Sequence, residues 1–308
     1  MPLDRGYGKT ANGKSPARCY GQDLMKGEHK VGTSKNGRSF GDSEGIPEGS
    51  YDYPVEALQQ SGTSIFDPVL CELSYRWFCP TGGTVLDPFA GGSVRGIVAA
   101  KLGLQYIGVE LRAEQVEANR VQGEAICADD DHPPLWHIGD SRNIASIAKG
   151  VEADLLFSCP PYADLEVYSD DPKDISTLGY AEFITAYREI IHNAAILLKE
   201  DRFAVWVVGD VRDKKGFYQN FPGETINAFQ DAGLTLYNEA VLVTSVGSLP
   251  IRVGKQFGGY RKLGKTHQNV YAFYKGNPKN IKDVFGEIEV DEAFFASTDP
   301  ASEFGEVL

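Results

Sequence analysis

The sequence predicts an α/β protein built on a mostly parallel sheet, and three observations carry that prediction. Residues 84–110 read as strand, glycine-rich turn, helix, strand. The apolar run Thr84-Val85-Leu86 ends on Asp87, Pro88 to Gly92 form a tight turn, and the second apolar run ends on Glu110. A further apolar run, residues 154–158, stops at Pro160-Pro161, which cannot continue a sheet's hydrogen bonding. The chain must leave there, at the strand's carboxyl end, where open α/β sheets bind ligands. Helical and strand patterns then alternate as far as Tyr274.

Bulk composition narrows the class. At 308 residues with 42% hydrophobic content, the chain suits one large α/β domain with appendages, or two small ones. It has no run of roughly 18 apolar residues, and MPLDRGYGKT lacks a signal peptide's apolar segment. The expectation is a cytoplasmic protein with no membrane partner. Five cysteines without a CxxC pair argue against a disulfide framework and against a zinc site. A net charge of −13 argues against a nucleic-acid partner until its distribution is read. Residues 1–40 carry eight Lys/Arg against Asp4, Asp23 and Glu28, residues 244–279 are basic without an acid, and acids concentrate after Lys282. A polyanion responds to such local patches more than to the total.

In chain order, residues 1–55 are polar and basic and read as an extended or disordered arm; GYGKTANGKS has only half of a phosphate loop's spacing. A domain follows over residues 56–280. Asp67-Pro68 starts a helix whose Val69, Leu70, Leu73, Trp77 and Phe78 recur near helical spacing. A helix over 112–123, a third strand over 134–138 followed by Asp140, and the fourth strand at 154–158 come next. Residues 163–179 are polar and long for an α/β connection, so a mobile lid is expected. Then come a long helix over 180–198, a fifth strand over 203–208, a charged loop over 210–216, a helix over 225–232 and a sixth strand over 234–243. Residues 244–268 form an insertion longer than a hairpin requires, ahead of a last strand over 269–274. The insertion interleaves Arg252, Lys255, Arg261, Lys262 and Lys265 with Phe257 and Tyr260. That composition suits phosphates and stacked bases, or a solvated loop. Residues 281–308 read as an acidic tail.

DPFAGGS after an apolar strand resembles the S-adenosylmethionine motif of the DNA amino-methyltransferases, usually DPFxGSG. SCPPY resembles their catalytic motif, usually DPPY, NPPY or SPPY. The resemblance covers residues 64–275. It implies a Rossmann-like S-adenosylmethionine-dependent methyltransferase fold, with a mostly parallel seven-stranded sheet and an antiparallel last strand. It implies cofactor contacts from Phe66 and Asp67, from Asp87, Phe89, Gly91 and Gly92 in the turn, from Glu110 on the ribose, and from Asp140 on the adenine amine. An ordinary turn or N-cap aspartate is the other reading of Asp140.

The implied catalytic residues are Ser158, Cys159, Pro160, Pro161 and Tyr162. An exocyclic base amine is a poor nucleophile because its lone pair is delocalised into the ring. Acceptors on its protons favour the pyramidal form that attacks a methyl sulfonium, and Tyr162 can stack on a base extruded from the duplex. Cys159 departs from the pattern, standing where Asp, Asn or Ser is usual, and a thiol is a weak acceptor. Ser158, the backbone carbonyls, or a cysteine nucleophile acting on a pyrimidine carbon remain open, as does the choice between adenine and cytosine. The implied function is N6-adenine or N4-cytosine methylation of DNA by a phage-like enzyme with no metal, and a stand-alone modifier is expected because no endonuclease or helicase region is present. RNA base-amine methylation and a catalytically silent DNA-binding protein are the alternatives.

Overall fold

The computed structural model describes residues 66–162, 168–243 and 249–288. The expected N-terminal arm, most of the acidic tail and the first part of each long connection lie outside them.

Asp67 opens α1 (Pro68–Phe78): its carboxylate accepts from the N–H groups of Val69 (2.9 Å) and Leu70 (3.3 Å), and Pro68 takes the position where a missing N–H costs nothing. The succession is then β1 (Thr84–Asp87), α2 (Val94–Lys101), β2 (Gln105–Glu110), α3 (Ala113–Cys127), β3 (Leu135–Ile138), α4 (Ile144–Ile147) and β4 (Ala153–Ser158). It continues with α5 (Tyr180–Leu197), β5 (Leu198–Val208), α6 (Phe221–Asp231), β6 (Thr235–Val243), α7 (Leu249–Tyr260), β7 (His267–Lys275) and α8 (Ile281–Phe285).

The strands form one seven-stranded sheet in the order β3-β2-β1-β4-β5-β7-β6. β1 to β5 pair in parallel, and β7 runs antiparallel to both β5 and β6. This is the mostly parallel seven-stranded α/β sheet with an antiparallel last strand expected from the sequence. From β1 the chain moves outward through β2 to β3, then returns to lay β4 on the other side of β1. The loops leaving β1 and β4 therefore diverge, and such a switch point opens a crevice at the strands' carboxyl ends. The two motifs, far apart in sequence, meet there.

Both faces of the sheet are covered. Leu86, Leu156, Trp206 and Phe273 pack with Phe183, Tyr187, Phe221 and Phe229 of α5 and α6. On the opposite face, Val85, Leu155, Phe157 and Phe203 pack with Tyr75, Tyr106 and Trp136. β4 is buried along its whole length, as a central parallel strand should be.

Several boundaries differ from expectation, each for a tertiary reason. β5 begins at Leu198 rather than 203, because Asp154 of β4 holds its polar start through Lys199 Nζ (3.0 Å) and Arg202 Nε (2.8 Å). Within 244–268, expected to be loop, the structure has a helix, α7, over Leu249–Tyr260. Of the expected lid, residues 168–179 are anchored: Asp174 accepts from the N–H and hydroxyl groups of both Ser169 and Ser176, and Ile175 is buried. The start of the expected tail belongs to the domain, since Phe285 of α8 packs 5.2 Å from Phe203.

Candidate active site at the carboxyl ends of β1 and β4

Asp87 ends β1 fully buried, and four donors surround its carboxylate. Arg95 Nε (2.6 Å) and the Tyr106 hydroxyl (2.8 Å) reach Oδ2, while the Phe89 N–H (3.0 Å) and the Ser158 hydroxyl (2.5 Å) reach Oδ1. Asp87 thus ties the glycine-rich turn to the end of β4. Burial opposes the charge on Arg95, and the Asp87 carboxylate more than reverses that, raising the guanidinium's pKa and keeping it cationic. The same guanidinium donates through Nη2 to the carbonyls of Phe89 and Ala90 (2.9 Å for Ala90) and lies 4.8 Å from the Phe66 ring. Two turn carbonyls are thereby held down toward the core.

The turn lies flat on β2. The Ala90 N–H donates to Val109 O (3.1 Å), and a Cβ on Gly108 would come within 2.8 Å of the Ala90 Cβ. Gly91 adopts φ +51°, a left-handed conformation that glycine takes without steric cost. Its backbone is fixed from both sides: the N–H donates to Glu110 Oε2 (3.0 Å), and the carbonyl accepts from Asn119 Nδ2 (2.7 Å). Arg112, Gln115 and Asn119 form a chain of hydrogen bonds along α3 that sets that amide.

Glu110 ends β2 beside the turn, its other oxygen accepting the Arg112 N–H at 2.9 Å. Burial raises its pKa, only partly offset by the Arg112 and Gly91 N–H groups and the Arg112 charge. A carboxylate with a raised folded pKa contributes stability below its unfolded pKa and loses it as pH rises through the folded value. We therefore expect stability, followed by urea denaturation, to fall as pH rises through the raised Glu110 value. If Glu110 holds the donor ribose, as the resemblance implies, Glu110→Gln weakens S-adenosylmethionine binding by about tenfold or more, as expected for one hydrogen bond to a charged group. Unchanged affinity by calorimetry would contradict the ribose assignment.

Several sequence-predicted site residues make supporting contacts within the chain. Ser158 has no exposed surface and directs its hydroxyl to Asp87, beneath the site. Asp67 caps α1. Asp140 accepts from the Arg142 N–H (3.0 Å) and from Arg142 Nε and Nη2 (2.9 and 2.6 Å), so its acceptor capacity toward an adenine amine is largely filled. The adjoining Ser141 hydroxyl donates to Pro88 O (2.5 Å), tying the loop after β3 to the turn.

Beyond Ser158, Cys159, Pro161 and Tyr162 are half-buried and Pro160 is buried. The Cys159 thiol lies 3.5 Å from the Tyr162 hydroxyl, and Gln268 Nε2 donates to that hydroxyl. The Tyr162 ring meets Phe221 edge-on at 6.1 Å. On the basic insertion, Lys265 pairs with Asp210 at the end of β5, a contact the sequence did not predict. Arg261 caps the carboxyl end of α7 through Phe257 O (3.0 Å) and Gly258 O (2.7 Å), and Lys262 reaches Gly216. Arg252 and Lys255 lie on α7, their side chains outside the described residues.

Sequence reasoning missed Arg95, Tyr106, Asn119 and Gln268. An arginine inside a helix or a glutamine at a strand's start reads as surface; only the fold shows these to be buried.

No family model and no curated protein matches the chain. Among solved structures it is similar to TrmN from Thermus thermophilus, with 17% identity and TM-score 0.44 over 72% of this chain and about half, 52%, of that one. It is also similar to magnesium protoporphyrin IX methyltransferase from Synechocystis with bound SAM, with 13% identity and TM-score 0.43 over 68% and 76% of the two chains. A TehB-like SAM-dependent methyltransferase from Corynebacterium glutamicum gives 15% identity and TM-score 0.42 over 72% and 94%.

Proposed function

We propose that the protein is an S-adenosylmethionine-dependent methyltransferase that modifies an exocyclic base amine in DNA, N6 of adenine or N4 of cytosine. One observation carries the reading: the Ser158–Asp87 hydrogen bond of 2.5 Å, which locks the DPFAGGS turn against the SCPPY strand end at one switch point. A donor site and an acceptor site so joined are what group transfer between two bound molecules needs.

The residues fit the donor. A carboxylate has about four acceptor positions, and Glu110 uses two of them on the N–H groups of Gly91 and Arg112, leaving capacity for ribose hydroxyls. Gly91 and Gly92 let a ligand approach the backbone, with Phe89 beside them. The bound donor would supply an electrophilic methyl group on a sulfonium. This chain's own contribution is positional. Arg95 and Asp87 hold the turn rigid, the Cys159 and Pro160 carbonyls stand at the end of β4, and the Tyr162 ring offers a face to an extruded base. The insertion that carries Arg252, Lys255, Arg261, Lys262 and Lys265, with the exposed rings of Phe257 and Tyr260, would meet the nucleic-acid backbone.

The test is transfer of labelled methyl from S-adenosylmethionine to duplex DNA, single-stranded DNA and RNA. Label in DNA is expected. Label in RNA alone would move the substrate to RNA, and donor binding without transfer would point to a silent DNA-binding protein.

A further inference from the structure

Gln268, near the start of β7, is 2% exposed, and its side chain reaches the catalytic motif. Nε2 donates to the Tyr162 hydroxyl, which in turn lies 3.5 Å from Cys159 Sγ. The other end of the amide, Oε1, is buried with no hydrogen-bond partner among the described residues. An unpaired buried acceptor destabilises a fold, and an apolar side chain of similar length would avoid the cost. In native structures such groups call for an explanation, a catalytic role among them.

The chemistry of the amide supplies one. A primary amide carries two N–H donors and a carbonyl acceptor. Where Tyr162 takes the N–H trans to the carbonyl, a carbonyl and an N–H remain side by side. Their complement is an edge in which an amine stands next to an unprotonated ring nitrogen. Adenine and cytosine both present that edge; thymine and uracil present carbonyls beside a ring N–H. Glutamine's pairing with adenine in duplex recognition uses the same complementarity.

We propose that Gln268 reads the target base, its carbonyl accepting from the exocyclic amine and its remaining N–H donating to the adjacent ring nitrogen. This rests on the function proposed above and supplies what the motif lacks, since Ser158 is engaged with Asp87 and a Cys159 thiol is a weak acceptor. In the transfer, the amine nitrogen forms its bond to the methyl carbon as the sulfur–carbon bond breaks, and the amine proton leaves to water. Gln268 orients that proton and does not take it. Base entry has to displace what covers Oε1, so recognition is coupled to the Tyr162 contact.

The experiment compares the parent with Gln268→Met and Gln268→Glu for methyl transfer from labelled S-adenosylmethionine to duplex DNA, for donor affinity, and for thermal unfolding. Gln268→Met should lose kcat/KM on the order of 100-fold, the scale for removing one preorganised hydrogen-bonding group at a reacting centre. It should keep donor affinity and melt near the parent's temperature, because losing the Tyr162 hydrogen bond is offset by losing the orphaned acceptor. Gln268→Glu, which retains an acceptor, should recover part of the activity. A Met variant that melts well below the parent would make Gln268 a brace for Tyr162 and overturn the proposal, as would a Met variant as active as an active parent. A parent inactive on both DNA and RNA contradicts the function itself, a separate failure.

Discussion

Asp87→Asn is expected to lower stability by about 3–5 kcal/mol, the cost of leaving a buried charge without its partner. Four donors converge on the Asp87 carboxylate, and none of that surface is reached by water. An amide in its place offers one acceptor and sets an N–H₂ against donors. Arg95 is then left buried beside the turn with only the Phe89 and Ala90 carbonyls to hold it. Urea denaturation measures the loss, and calorimetry should find donor binding gone under conditions where the variant is still folded. A variant with the parent's stability and affinity would show that the network is not what holds the turn.

Tyr162→Ala is expected to lower kcat/KM on DNA by about 1–3 kcal/mol of barrier, roughly 5–150-fold, with donor affinity unchanged. The ring is half-buried against Phe221, and its hydroxyl joins Cys159 to Gln268, so truncation removes both a stacking face and the link between the two strand ends. Cys159→Ser serves as the companion measurement. It should keep or raise turnover, because a hydroxyl is a stronger acceptor than a thiol. A folded, donor-binding Cys159→Ser variant with no turnover would contradict attack by an amine and favour a cysteine nucleophile.

The legibility of this chain follows a physical line. The unit over 84–110 was readable because a parallel strand buried on both faces is a short apolar run, and the turn after it needs small residues. Pro160-Pro161 marked the end of β4 because proline cannot extend a ladder. The register of β5 was not readable: its polar start, Leu198 to Arg202, becomes strand only because Asp154 of β4 gathers Lys199 and Arg202. α7 was hidden by Gly254, Gly258 and Gly259, which argue for loop on local propensity. For the site, sequence marked the residues on the motifs but not their direction. Ser158 and Asp87 face each other beneath the turn, a pairing set by which strands are neighbours. Arg95 and Gln268 belong to no motif, and their burial is a property of the sheet as a whole.

The most direct test of the central claim is the position of the new methyl group. DNA methylated by the purified protein with S-adenosylmethionine is digested to nucleosides and resolved by mass spectrometry. The account predicts N6-methyladenine or N4-methylcytosine, with none formed by the Asp87→Asn variant; 5-methylcytosine as the product, or label confined to RNA, would contradict it.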